Sequence, residues 1–154
     1  MSWSGLIRTT WCFRKTYSRC KSLNDTPRLY PPSGEPRWQA LRWHALAQGM
    51  MEACVARFVE LRKPAEKQDG AMVAKHEARI AAALAFANER VPMKGYIQSA
   101  AIGIADIALG TALGYIDLRY AHDWRGRYPQ LAAWFMPLSQ RPSFLETRAP
   151  ELQK

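Results

Sequence analysis

Residues 103–120 read GIADIALGTALGYIDLRY, the most apolar stretch of a 154-residue chain, yet an acid stands three positions inside it. With Gly103 at the N-cap of a helix, Asp106 falls at the third helical position. From there a carboxylate reaches back to the N-cap backbone N–H, the return half of a capping box. Ile102 then precedes the cap and Ile107 is the fourth helical residue, the two halves of a hydrophobic staple. The positive end of the helix dipole favours a negative charge in this turn. The spacing therefore predicts a buried helix that Asp106 opens as a structural cap, not as a catalytic acid. Ala105, Ala108, Gly110, Ala112 and Gly114 are small, so neighbouring helices can approach this rod closely.

The segments on either side carry helical periodicity. From Pro36 to about Arg62, Trp43, Leu46, Met50, Cys54, Phe58 and Leu61 recur at intervals of three and four, one apolar stripe. A second row, Leu41, Ala45, Gln48, Glu52, Val55 and Val59, lies nearly opposite and is apolar at its ends and polar in its middle. Two flanks of this kind predict a central helix contacted from two sides. A second helix is expected from Asp69 to Arg90, with Val73, Ile80, Leu84, Ala87 and Val91 turned inward. Pro129 suits a helix start, with Leu131, Trp134, Phe135 and Leu138 as its buried side. Pro137 conflicts with that helix, because an interior proline removes a hydrogen bond and clashes with the preceding turn. A kink or an end near Phe135 is the expectation. No segment reads as a strand, so the fold class is all-α, a bundle of four to six helices.

The totals narrow the function. The length allows one domain with a real core. The longest apolar run is too short to cross a membrane and is bracketed by Asp106 and Asp117. Net charge is +9, but Arg8, Arg14, Lys15, Arg19 and Lys21 supply five of those units in the first 22 residues, which hold no acid. The excess lies in a tail and not on a helix face interleaved with aromatics, which argues against nucleic acid as a partner. Cys12, Cys20 and Cys54 form neither a CxxC pair nor a set with histidine, so no zinc site or disulfide framework is indicated and no metal is expected. A reducing compartment, the cytoplasm, follows as the default. Cys54 reads as a small buried apolar residue. His44, His76 and His122 are scattered and read as surface or packing residues, and no serine or cysteine has a base placed beside it.

Residues 1–26 differ from the rest: basic, rich in Ser and Thr, aperiodic, and without an acid until Asp25. Their composition fits a mitochondrial transit peptide but not a secretory signal. The expectation is a disordered or non-native extension over 1–26, such as translation from a shifted frame would give. TPRLYPPSGEPRW, residues 26–38, is a proline-rich linker that ends in a helix start, and the helical domain is assigned to 27–154.

Three segments in order, RLYPPSGEPRWQALRWHALAQGMMEA, IADIALGTALGYIDLR and RYPQLAAWFMPLSQRPSF, resemble the C-terminal domain of the bacterial glutathione S-transferases. The resemblance covers about residues 27–150, and its middle segment is similar to the family's capping-box-and-staple motif. The family usually has Ser or Thr where Gly103 stands here. The resemblance implies the helical half that shapes a hydrophobic co-substrate pocket and part of a dimer face. It places Gln48 and Glu52 on the first helix and Tyr115 on the third near that pocket. The family's thioredoxin-like domain, which holds the thiol-activating residue and nearly all glutathione contacts, has no counterpart in the 26 residues ahead of the linker. The implied protein is a transferase-like helical domain that is inactive alone and binds no cofactor by itself, glutathione being the family co-substrate. Two other readings stay open: a non-catalytic interaction module, and a fragment of a full-length transferase. Either way a homodimer, or a partner covering the exposed face of the first and third helices, is expected.

Overall fold

The structure is a computed structural model and describes residues 29–98, 100–120 and 122–149. The expected tail over 1–26 lies outside the described residues. Six α-helices follow one another, with no strand among the described residues: α1 (Gly34–Leu61), α2 (Gly70–Arg90), α3 (Ile104–Arg119), α4 (Trp124–Arg127), α5 (Pro129–Ser139) and α6 (Pro142–Glu146). A 3-10 turn, Ala65–Lys67, links α1 to α2. The all-α bundle expected from periodicity is the fold observed.

α3 is the interior rod. Nine of its sixteen residues are buried, Ile104, Ala105, Asp106, Ala108, Leu109, Gly110, Ala112, Leu113 and Ile116, which leaves no solvated half. Its small residues allow close packing, and Gly110 shows the limit: a Cβ there would stand 2.8 Å from the Phe144 ring and 2.9 Å from Leu138 Cδ2. The main packing partner of α3 is α1, which also packs on α2, while α5 closes the bundle against α2 and α3.

α1 meets both neighbours on one face. Trp43, Met50 and Cys54 of the apolar stripe are buried, and Ala40, Ala47 and Ala53 widen that face enough for two helices. The second row is not a contact: Ala45, Gln48, Glu52, Val55 and Val59 are exposed and Leu41 is half-buried. The expectation of contacts from two opposite sides is thus corrected. The alanines beside the stripe supply the second contact that the outer row was expected to make. Gly34 opens the helix at a φ of +71°, a left-handed conformation that favours glycine.

The turn between α1 and α2 is tied by polar groups. Glu60 accepts from Lys63 Nζ at 2.6 Å and from the Asp69 backbone N–H at 2.9 Å. Asp69 in turn caps α2, accepting from Ala71 N and Met72 N at 2.9 and 3.1 Å. The inward residues of α2 follow the expected stripe, with Ile80, Leu84, Ala87 and Val91 buried.

α5 departs from its expected end. It starts at Pro129 as expected but runs on to Ser139, with Pro137 inside it. Ala133, whose carbonyl loses its usual partner at Pro137, is exposed, as is Pro137 itself. Solvent can satisfy that carbonyl, so the missing bond costs less than it would on the buried side. The other end of α5 is capped from outside: Asn88 Oδ1 of α2 accepts from Leu131 N at 3.0 Å.

Candidate functional site

Asp106 is 1 % exposed and its two oxygens accept from different segments. Oδ2 takes the Gly103 backbone N–H at 2.9 Å, and Oδ1 takes the Ile97 backbone N–H at 2.8 Å. Burial pushes the carboxyl above its usual range, while these two N–H donors pull it back. A glycine has no side chain to cap the first turn, so the first intrahelical bond, Ile107 N to Gly103 O at 3.2 Å, carries that end. Ile102 and Ile107, on either side of the cap, are both half-buried. The carboxylate points to main-chain partners, and both of its oxygens are occupied by them. This geometry ties the head of α3 to the loop before it.

The three residues expected near a pocket fall into two places. Gln48 and Glu52 sit one helical turn apart on the exposed row of α1, and Gln48 Nε2 donates to Glu52 Oε1 at 3.0 Å. They form a polar centre between the apolar ends Leu41 and Ala45, and Val55 and Val59. Tyr115 is half-buried on α3, packed against the core. Burial raises its phenol above the usual range, the nearby Cys54 adds to this, and Arg119 opposes it. Cys54 stands about 200° around α1 from Glu52, so Tyr115 faces the buried side of α1 and not the Gln48–Glu52 pair. Burial also pushes the Cys54 thiol up to about 11, which keeps it protonated and unreactive at neutral pH.

Sequence reasoning missed a layer of guanidinium and aromatic groups where α1 and α3 end. Arg57 pairs with Glu77 at 2.7 Å and lies 4.1 Å from the centroid of the Tyr120 ring, on which His122 also stacks at 4.9 Å. Arg62 and Arg119 both lie over Phe58, at 5.5 and 4.9 Å. Cations at helix C-termini complement the dipole, and stacking adds to that. The sequence signal was the pairing of Arg62 and Arg119 with the two helix ends. His44, expected to be a surface or packing residue, has its Nδ1 2.9 Å from the Tyr30 hydroxyl. Among the described residues no group of three or more His, Cys, Asp or Glu could hold a metal ion. No helix among them is long and apolar enough to cross a membrane.

An interior rod capped by a carboxylate, packed on a long first helix and closed by a Pro-initiated helix, is matched over residues 47–135 by the family "Glutathione S-transferase, C-terminal domain". The chain belongs to that family. It is 26% identical over 130 residues to the uncharacterized GST-like protein YibF of Escherichia coli (strain K12), covering 84% of this chain and 64% of that protein. Among solved structures, a glutathione S-transferase of Methylobacillus flagellatus KT with GSH bound superposes at a TM-score of 0.75 with 33% identity. That match covers 80% of this chain and 63% of the other. A glutathione transferase family member of Pseudomonas fluorescens Pf-5, with bound glutathione, gives 0.72 and 36%, covering 81% of this chain and 60% of its own. The chain therefore spans less than two thirds of each of these glutathione-transferase-like relatives.

Proposed function

We propose that this chain contributes the helical, co-substrate-binding half of a glutathione transferase, and that its exposed α1 row faces the part that holds glutathione. The carrying observation is the 33–36% identity, over about four fifths of the chain, to transferases with glutathione bound. The geometry supports a binding and not a thiol-activating role. Cys54 is buried and protonated, and the Tyr115 phenol is shifted away from ionisation. A neutral phenol donates a hydrogen bond and does not serve as a base at neutral pH. In this reading Gln48 and Glu52 supply the polar contacts of an otherwise apolar lining, as ligand clefts commonly have. Helical domain 27–154, residence in the cytoplasm and a homodimeric or otherwise covered α1–α3 face belong to the same proposal.

The test is a conjugation assay with glutathione and an aryl halide. The purified chain alone is expected to match the buffer rate. A chimera joining residues 29–149 to the N-terminal third of the Methylobacillus flagellatus transferase is expected to turn over, with Gln48→Ala raising KM for the halide. Turnover by the chain alone, or a folded chimera without activity, would refute the assignment. The second reading, a docking module without catalysis, is favoured by one observation: Val55, Val59 and Trp38 stand 36, 46 and 64% exposed along the outer side of α1.

A further inference from the structure

The linker ahead of α1 is fastened at several points. Arg37 Nη1 donates to Pro31 O at 3.2 Å, and the Tyr30 hydroxyl meets His44 Nδ1 at 2.9 Å. Both partners belong to α1, the helix the linker leads into, so these bonds are local in sequence. A third bond is not local: the Ile104 backbone N–H donates to Leu29 O at 3.1 Å. Ile104 is the first residue of α3, and its N–H is one of the donors that a helix start leaves without an internal partner. The approach does not depend on glycine at Gly103, since a Cβ there would lie at an ordinary 3.5 Å from the same Leu29 oxygen. Gln98 Nε2, on the loop before α3, reaches Pro36 O at 2.9 Å. The linker, the loop of residues 91–103 and the start of α3 therefore meet at one place, and the buried Asp106 holds two of these three through Ile97 N and Gly103 N.

We infer that Asp106 is a positioning residue for residues 29–33: it fixes the first turn of α3 so that the Ile104 N–H is presented to Leu29 O, and thereby sets where the chain leading into α1 lies on the bundle. The mechanism is a relay of main-chain geometry. The carboxylate fixes Gly103 N and Ile97 N. Gly103 fixes the direction of the next peptide, and that peptide's N–H holds the linker. Removing the carboxylate frees two donors and lets the first turn fray, so the linker loses its bond to α3 and its remaining Tyr30–His44 contact with α1 loosens. The consequence is directional: Leu29 is held by the start of α3, while Tyr30 and Pro31 are held by α1. This inference stands on the bond network and not on the transferase reading.

Two variants of the full chain separate it from plain destabilisation. Asp106→Asn keeps shape but leaves one N–H facing an amide nitrogen. Ile104→Pro removes the donor to Leu29 together with a buried side chain; proline is accepted at the first helical position and Gly103 is already extended (φ −123°, ψ −176°), so protection at Ile97 and Gly103 reports whether the first turn survives the change. Two reporters are read: amide hydrogen exchange at Ile97 and Gly103, and the fluorine resonance of 3-fluorotyrosine at Tyr30. Asp106→Asn is expected to speed exchange at Ile97 and Gly103 about tenfold or more and to move the Tyr30 resonance toward its random-coil position. Ile104→Pro is expected to move the Tyr30 resonance while Ile97 and Gly103 keep their protection. Leu84→Ala, a core truncation in α2, is the comparison and should loosen all sites alike. A Tyr30 resonance that stays in place in Ile104→Pro would overturn the inference, because α1 alone would then hold the linker. Asp106→Asn behaving like Leu84→Ala would overturn it too. Should Asp106→Asn fail to fold, Ile104→Pro still decides.

Discussion

At Gly103 the chain gives up one half of a capping box and keeps the other. Its φ of −123° is open to any residue, and a Cβ would meet Leu29 O and Asp106 Oδ2 at ordinary distances of 3.5 and 3.8 Å. Gly103→Ser should therefore supply the missing acceptor for the first turn and also reduce the freedom of the unfolded chain. Together these are worth about 0.5–1 kcal/mol of added stability, read as a higher urea midpoint at unchanged slope. Two other carboxylates respond to pH with opposite signs. Lys63 and the Asp69 N–H hold the Glu60 carboxyl below its usual range. Its contribution is full above the ordinary carboxylate pKa and is lost as pH falls through the lowered folded value. Asp106 is shifted upward by burial, so its ionisation costs stability as pH rises from the unfolded pKa through the folded one. Glu60→Gln should flatten the acid side of the stability profile below about pH 5, as measured by denaturant midpoints across pH. An unchanged acid limb would show that Glu60 makes no such contribution.

Among the elements, α4 is too short to stand alone: four residues, below what an isolated helix needs. It is held from α3. Asp117 accepts the Trp124 indole N–H at 2.8 Å and a two-pronged contact from Arg125 at 2.7 Å on each oxygen. Trp124 is fully buried, so an unpartnered indole N–H there is costly. Asp117→Ala should lower stability by about 1–3 kcal/mol and weaken the near-ultraviolet circular dichroism of the buried indole. A loss below about 0.5 kcal/mol would place Asp117 among ordinary surface residues. The contrast between α3 and α4 shows what could be read beforehand. Gly103, Asp106 and the apolar run announce α3 because cap and core signals lie within one local stretch. The start of α5 was legible in Pro129 for the same reason. α4 has a local cap, Asp123 accepting the Gly126 N–H at 3.0 Å, but its tie to the bundle is a contact from Asp117, seven and eight residues upstream, which no period encodes. The end of α5 depends on which side of the helix faces water at Pro137, again a tertiary fact. Gln48 and Glu52 could be paired from their i, i+4 spacing, whereas the separation of Tyr115 from them needed the packing of α3 on α1.

On the scale of the whole molecule, the outer row of α1 is the feature the bundle does not use. Periodicity announced it, since Leu41, Ala45, Gln48, Glu52, Val55 and Val59 fall on one line, but a line does not say what it touches. α2 and α3 both settle on the opposite, alanine-widened face, and the row stays bare with Val55 and Val59 at 36 and 46% exposure. Exposed valines singly are normal on protein surfaces, so the row matters only if its residues act together. Val55→Glu combined with Val59→Glu tests that. Neither side chain is in the core, so the double variant should keep stability within about 1 kcal/mol of the parent. If the row is a covered face, the parent chain should self-associate or bind an apolar-surface dye, and the double variant should do neither. Light scattering and dye fluorescence at matched concentration read both. A parent chain that is monomeric and dye-silent would instead reduce the row to scattered surface residues. The α1 face would then drop out of the proposed function, and the bundle around α3 would be unaffected.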